Sequence, residues 1–335
     1  MISHFVQYLG CLFMGWGLGA NDSANVFGTA VSSRMVNYRL AIWLTALFVM
    51  LGAVCDGERG INTLSGELRK DTTFVSDGHL DQEKADRKAR RTAIVVSFSA
   101  ALAVIFLTLM KLPISTSQAV VGAIAGVGIL QHSLNTGSLL KIVICWIGTP
   151  VGGMLFTFIF YHVFRAVIRK LNMPVFVYDP VMSILLIITG CYGAYALGAN
   201  NVANVSAIFV GHNMLSIKEA TVFGGFTIAV GVLTYAKPVM MTVGKSIVKL
   251  DAFSAFTCVF SQALTVHIYA IIGVPVSTTQ AIIGAILGIG IIKGGQTINF
   301  RKLTQVSVGW LATPFIAALL AALLYFIANL RYLPD

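Results

Sequence analysis

"GANDSANV", residues 19–26, returns as "GANNVANV" at residues 198–205. Two further stretches repeat in the same order: "PISTSQAVVGAIAGVG" at 113–128 as "PVSTTQAIIGAILGIG" at 275–290, and "WIGTP" at 146–150 as "WLATP" at 310–314. Three ordered pairs imply a duplicated unit, here an N-terminal repeat over 1–170 and a C-terminal repeat over 180–335. The two longer motifs are offset by 179 and 162 residues, so the first half is 17 residues longer between them. A charge-rich stretch at 58–91, with eight Lys/Arg and seven Asp/Glu, accounts for the excess and reads as an external loop or surface helix.

The chain is 57% hydrophobic and only 11% charged, against roughly 25% charged in soluble domains. Apolar runs near the spanning length of about 20 residues recur from end to end. The sequence therefore predicts an all-α polytopic membrane protein, one integral domain without a soluble body. Five segments are expected in each half: 4–31, 40–57, 93–111, 114–130 and 138–163, then 181–209, 221–243, 252–272, 276–292 and 303–328. An odd number per half forces the copies to run in opposite directions, the inverted-repeat plan of many secondary transporters. Segments 114–130 and 276–292 are short and rich in Gly and Ala, so each reads either as a crossing or as half of a re-entrant hairpin.

The net charge of +10 sits largely in short loops and not on one face, which excludes a nucleic-acid partner and suits a topological signal. With the N-terminus outside, Arg34, Arg39, Lys111, Arg165, Arg169, Lys170, Lys237, Lys245, Lys249, Lys293, Arg301 and Lys302 fall on the cytoplasmic side. Both termini are then extracellular and the chain is a multi-pass protein of the plasma membrane. The five cysteines and six histidines are scattered without metal-ligand spacing, so neither a transition-metal site nor an enzyme is expected. Asp56, Glu58 and Glu67 edge the charged stretch, either as an additional ion or gating site or as its solvated border. Without a nucleotide-binding loop, transport must draw on an ion gradient. An anion channel is the rival of different class, but it has no use for an aspartate at the site.

The repeated motifs carry the chemistry. In "PISTSQ" and "PVSTTQ", Pro opens a helix whose first amides are free and whose next residues are hydroxylic: Ser115, Thr116 and Ser117, or Ser277, Thr278 and Thr279. Such helix starts attract anions through free N–H groups and the positive end of the helix dipole. Two of them, from inverted copies, can surround a tetrahedral oxyanion. The other motif begins with residues that loosen a helix and supplies hard oxygen ligands for a small alkali cation, from Asn side chains and Asp22. Asn21 and Asn25, and again Asn200 and Asn204, lie four residues apart on one helical face. An intramembrane carboxylate costs about 2.5 to 3.5 kcal/mol on insertion scales, so Asp22 needs a reason. An anion site with an aspartate in it and no Lys or Arg in its motifs repels its ligand unless cations enter too, which points to anion–cation symport.

In "GANDSAN", "PISTSQ", "GANNVAN" and "PVSTTQ", in that order, the chain resembles the inorganic phosphate transporter (PiT) family of sodium–phosphate and proton–phosphate symporters. The resemblance covers nearly the whole sequence. It implies a helical bundle with re-entrant elements, often a homodimer, binding inorganic phosphate and Na+ between its halves. Carried over by motif, it places phosphate on Ser115, Thr116, Ser117, Ser277, Thr278 and Thr279 with Asp22 and Asn25 adjacent. Sodium falls to Asn21, Asp22, Gln118, Asn200, Asn204 and Gln280. The departure is Asn201, where the family usually carries a second Asp. That leaves the coupling ion, Na+ or H+, its stoichiometry, and phosphate against sulfate open.

Overall fold

The computed structural model describes residues 7–67, 79–109, 114–243, 250–295 and 299–330. Both ends of the chain and the Lys111, Pro113, Lys245 and Lys249 positions lie outside the described residues. Among these residues the chain is helical: α1 Leu9–Asp22, α2 Ala24–Ser32, α3 Tyr38–Asp56, α4 Glu58–Asn62 and a π-turn at Thr63–Glu67, then α5 His79–Leu109, α6 Thr116–Leu130 and α7 Thr136–Lys170. The second half follows with α8 Val175–Val210, α9 Ile217–Val243, α10 Ala252–Ile272, α11 Thr278–Ile292 and α12 Phe300–Leu330. Among the described residues seven helices are long and apolar enough to cross a membrane, while α6 and α11 are shorter apolar helices. Large side chains such as Trp43, Ile147, Phe315 and Leu319 point outward, 65–75% exposed. That outward apolar surface suits lipid and would be a liability in water.

The halves are inverted, and the contacts between them show it. Helices α1 and α9 pack in parallel: Tyr8 donates to the Met214 carbonyl (3.0 Å) at one end and Trp16 Nε1 to Thr234 Oγ1 (2.9 Å) further along. Helices α3 and α8 pair the same way, from Ser183 donating to the Met35 carbonyl (2.7 Å) to Gly198 beside Val49. The short turn before Tyr38 reverses the chain between α1 and α3. Helix α8, parallel to α3, therefore runs opposite to its own counterpart α1. The glycines that open the motifs serve this packing and do not unwind the helix: a methyl group at Gly19 would collide with the Ile228 carbonyl, and one at Gly198 with that of Val49. Small residues let backbones approach where dispersion and not the hydrophobic effect holds helices together. Only the first motif is interrupted, at Ser23, whereas α8 passes through the second without a break.

Each half contributes a hairpin, α5–α6 and α10–α11. The extended residues at the tips end in an N-cap serine: the Ser115 hydroxyl accepts the Gln118 amide (3.4 Å) and that of Ser277 accepts the Gln280 amide (3.2 Å), satisfying a donor the first turn leaves free. Gly273 takes the left-handed conformation (φ 83°) and turns the chain out of α10. The third repeat forms the sockets: α6 lies against α12 at Pro314, and α11 against α7 at Pro150. At the base of the second hairpin, Asp251 caps α10 through the Ser254 amide (2.7 Å) and binds Lys293 beyond α11. The first hairpin is closed by Gln131 Nε2 donating to Thr92 (2.9 Å).

Where it is described, the charge-rich stretch takes the helical one of its two expected forms. Residues 58–67 are not a solvated loop, because Ile61 and Leu64 are buried where α4 and the π-turn pack on α8. The later charges extend the N-terminal end of α5, which begins at His79 and not near 93. Apolar residues three apart form a buried face even inside a charged segment.

Candidate functional site

The two hairpin tips meet between the motif helices. Ser117, in the first turn of α6, donates to the carbonyl of Val276 at the opposite tip (2.8 Å). Helix α8 holds both tips: Asn204 Nδ2 donates to Ser117 (3.3 Å), while the Asn200 amide donates to the Val276 carbonyl (2.7 Å) and accepts the Val276 N–H (3.1 Å). From the first half, Asn25 Nδ2 donates to Thr278 (3.3 Å) and Thr279 (3.0 Å). The paired Asn25 and Asn204 thus reach across to the hairpin of the other repeat.

Asp22 lies at the junction, 1% exposed. Thr116 donates to its Oδ2 (3.0 Å) and Asn21 to its Oδ1 (3.3 Å), and the Thr278 hydroxyl of the other hairpin lies close by. One carboxylate therefore binds the first tip and stands beside the second. Of the residues singled out in the motifs, Asn25, Ser115, Thr116, Ser117, Gln118, Asn200, Asn204, Ser277, Thr278, Thr279 and Gln280 are buried with Asp22, while Asn21 is half-buried.

The unused groups sort into two kinds. The carbonyl oxygens of Gln118, Gln280 and Asn204 are buried without a donor, and such hard, neutral oxygens are ligands for an alkali cation. Ser115 and Ser277 accept their capping amides and keep their own O–H to donate, beside the positive ends of two helices. Acceptors without donors and hydroxyls free to donate thus occur together on the two hairpin starts and on α8. Asn201 is fully buried with its oxygen accepting from Asn200 (3.2 Å) and Asn204 (2.8 Å), while its Nδ2 has no partner. A carboxylate would accept the same two bonds without leaving an orphan donor. Asn200 has no amide group left for an ion in this arrangement and acts on the Val276 backbone.

Sequence spacing did not single out Ser23, whose buried hydroxyl is unpartnered where α1 gives way to α2, nor Gln262, a fully buried amide on α10 unpartnered at both atoms. A polar residue inside an apolar run was the available signal for Gln262. Among the described residues no three His, Cys, Asp or Glu side chains converge on a metal position. A groove of about 770 Å³ beside Tyr8, Met50, Leu215 and Phe223 is apolar and touches none of the motifs.

Inverted halves whose re-entrant tips converge on buried polar groups define a membrane transporter. The chain belongs to the phosphate transporter family, whose model matches residues 18–321. The sulfate permease CysP of Bacillus subtilis is 28% identical over 315 residues, 93% of this chain and 84% of its own length. A Pyrococcus abyssi chain that carries the provisional name of a phosphate permease is 26% identical over 396 residues, covering 94% of this chain and 95% of itself. A solved structure of a sodium-dependent phosphate transporter shares the fold, with a TM-score of 0.83 over 98% of this chain and 100% of that one at 22% identity.

Proposed function

We propose that the protein is a symporter of inorganic phosphate driven by a sodium gradient. The observation that carries this reading is Asp22, buried where Thr116 of one hairpin donates to it and where Ser117 holds the tip of the other hairpin at Val276. A dianion placed among these hydroxyls sits beside a carboxylate at low dielectric, where like charges repel strongly. Two or more cations on Asp22, Asn21 and the oxygens of Gln118, Gln280 and Asn204 bring the closed site near neutrality. Ser115, Thr116, Ser117, Ser277, Thr278 and Thr279 then hold the anion with Asn25, and Asn200 fixes the second tip. The working unit is two inverted repeats, 1–170 and 180–335, in a plasma-membrane homodimer with extracellular termini. The name of the solved relative supports sodium as the coupling ion.

A second reading, a proton-coupled phosphate or sulfate permease, is favoured by Asn201 and by the similarity to a sulfate permease. Uptake of radiolabelled phosphate and sulfate into proteoliposomes, under separately imposed sodium and proton gradients, decides between them. Accumulation of phosphate driven by sodium alone is expected. Accumulation driven only by protons, or only of sulfate, would replace the first reading with the second.

A further inference from the structure

Away from the tips, four side chains fasten the second hairpin to the rest of the molecule. His267 lies on α10, six residues before the turn at Gly273. Its Nε2 is 3.3 Å from Asp56 Oδ2 at the end of α3, and its Nδ1 is 2.9 Å from the Tyr192 hydroxyl on α8. Tyr195, one turn further along α8, donates to the same Asp56 oxygen. Next to this cluster Arg59 Nη1 donates to the Ile271 carbonyl (2.8 Å) and so caps α10. The arm that carries Ser277 and Thr278 is thereby tied to α3 and α4 of the opposite repeat. None of these bonds belongs to the ion and anion groups around Asp22.

The cluster can take up a proton without losing a bond. With a neutral imidazole, Nε2–H donates to Asp56 and Nδ1 accepts from Tyr192. With a proton added, both ring nitrogens donate; the Tyr192 hydroxyl turns to accept, and the bond to Asp56 becomes an ion pair. The bond to the carboxylate is charge-assisted already, and the added positive charge supplies the second partner of an ion pair; histidine is the side chain whose charge changes near neutral pH. The ionisable neighbours are few. Helix α3 contributes Cys55 with Asp56, α4 contributes Arg59 and α8 contributes Tyr192 and Tyr195. Helices α2 and α11 have no ionisable side chain. Helix α7 brings Cys145 beside Tyr269 and Tyr161 against Phe253, on other turns of α10.

We propose that Asp56, Tyr192, Tyr195 and His267 form a proton-binding site that, when protonated, fastens the α10–α11 hairpin to the first repeat and slows the displacement of that hairpin during transport. Acid then restrains the carrier through this site, independently of the ionisation of its substrate. The test compares anion exchange by the wild type and His267→Gln in proteoliposomes from about pH 5 to 8. Ionisation of the substrate is common to both proteins and cancels in the ratio of their rates. The mutant-to-wild-type ratio is expected to rise severalfold toward the acid end. A ratio that stays constant across the range overturns the proposal.

A second variant guards against misfolding of the first. Asp56→Cys/His267→Cys, in a background without the five native cysteines, is bridged by a short thiol-specific cross-linker. The cross-linked protein should still bind anion yet exchange it far more slowly than the uncross-linked form. Equal exchange by the two forms would also overturn the site. Each comparison is made within one carrier, so it stands whether phosphate or sulfate is the anion followed.

Discussion

Asn200 grips one peptide unit from two sides, because its amide both donates to and accepts from Val276. Replacing it by Leu keeps the volume and removes both bonds. The Val276 carbonyl retains Ser117, but its N–H is left buried and unsatisfied, at a cost of about 1–3 kcal/mol. Asn200→Leu is therefore expected to lower the melting temperature in detergent and to weaken anion binding together; a mutant with wild-type stability would show that the grip is incidental. The hydroxyls make a more local contribution. Ser115→Ala/Thr116→Ala and Ser277→Ala/Thr278→Ala should each weaken phosphate binding by about 1 kcal/mol per lost bond, with folded yield little changed. Calorimetric titration measures both, and unaltered binding in the two double mutants would move the anion site elsewhere.

At the scale of elements, the second hairpin is closed at its base by a charged pair and the first by a neutral one. Burial alone would raise the Asp251 carboxyl, but the Lys293 ammonium and the Ser254 amide donate to it and hold it below the usual carboxylate range. A group depressed in the folded state stabilises above its unfolded value, and that contribution is lost as pH falls. The clamp should thus be intact above about pH 4 and weaken progressively below it. Thermal melts across an acid series should show Asp251→Asn losing the part of the pH dependence that the wild type shows there; parallel curves would mean that the pair does not contribute.

The hairpins themselves were half legible. "PISTSQ" and "PVSTTQ" announce helix starts, and the short Gly-rich runs behind them allow a re-entrant form, because both are local patterns. The contact of Ser117 with Val276 was not legible, since it joins a side-chain hydroxyl to a backbone carbonyl 159 positions away. The same is true of His267, whose partners Asp56 and Tyr192 come from two other helices and share no spacing with it. Gly19 and Gly198 were legible as special positions but not in their role, because close approach needs a partner helix that the local sequence does not name. Ile61 and Leu64 were hidden in the same way, their buried face masked by the charges around them.

At the scale of the whole molecule, inversion places the turn between α6 and α7 on one side of the membrane and that between α7 and α8 on the other. His132 and Asn172 are exposed in these turns. In a cysteine-free background, cysteine at His132 should react with an impermeant maleimide on intact cells, whereas cysteine at Asn172 should react only after permeabilisation. The reverse pattern would turn the molecule over and place its termini inside. The proposed coupling is likewise a property of the whole, since Thr116 of the first hairpin binds Asp22, Ser117 reaches the second tip, and the motif helices of both repeats bind these tips. If anion and cation share that site, each must raise the affinity of the other by the same factor. The direct measurement is a calorimetric titration of phosphate across a sodium series, and of sodium across a phosphate series, for the wild type and Asp22→Asn. The wild type should show equal reciprocal enhancement and Asp22→Asn should lose both, because a buried cation then lacks its counter-charge; an Asp22→Asn protein with undiminished sodium dependence would contradict the account.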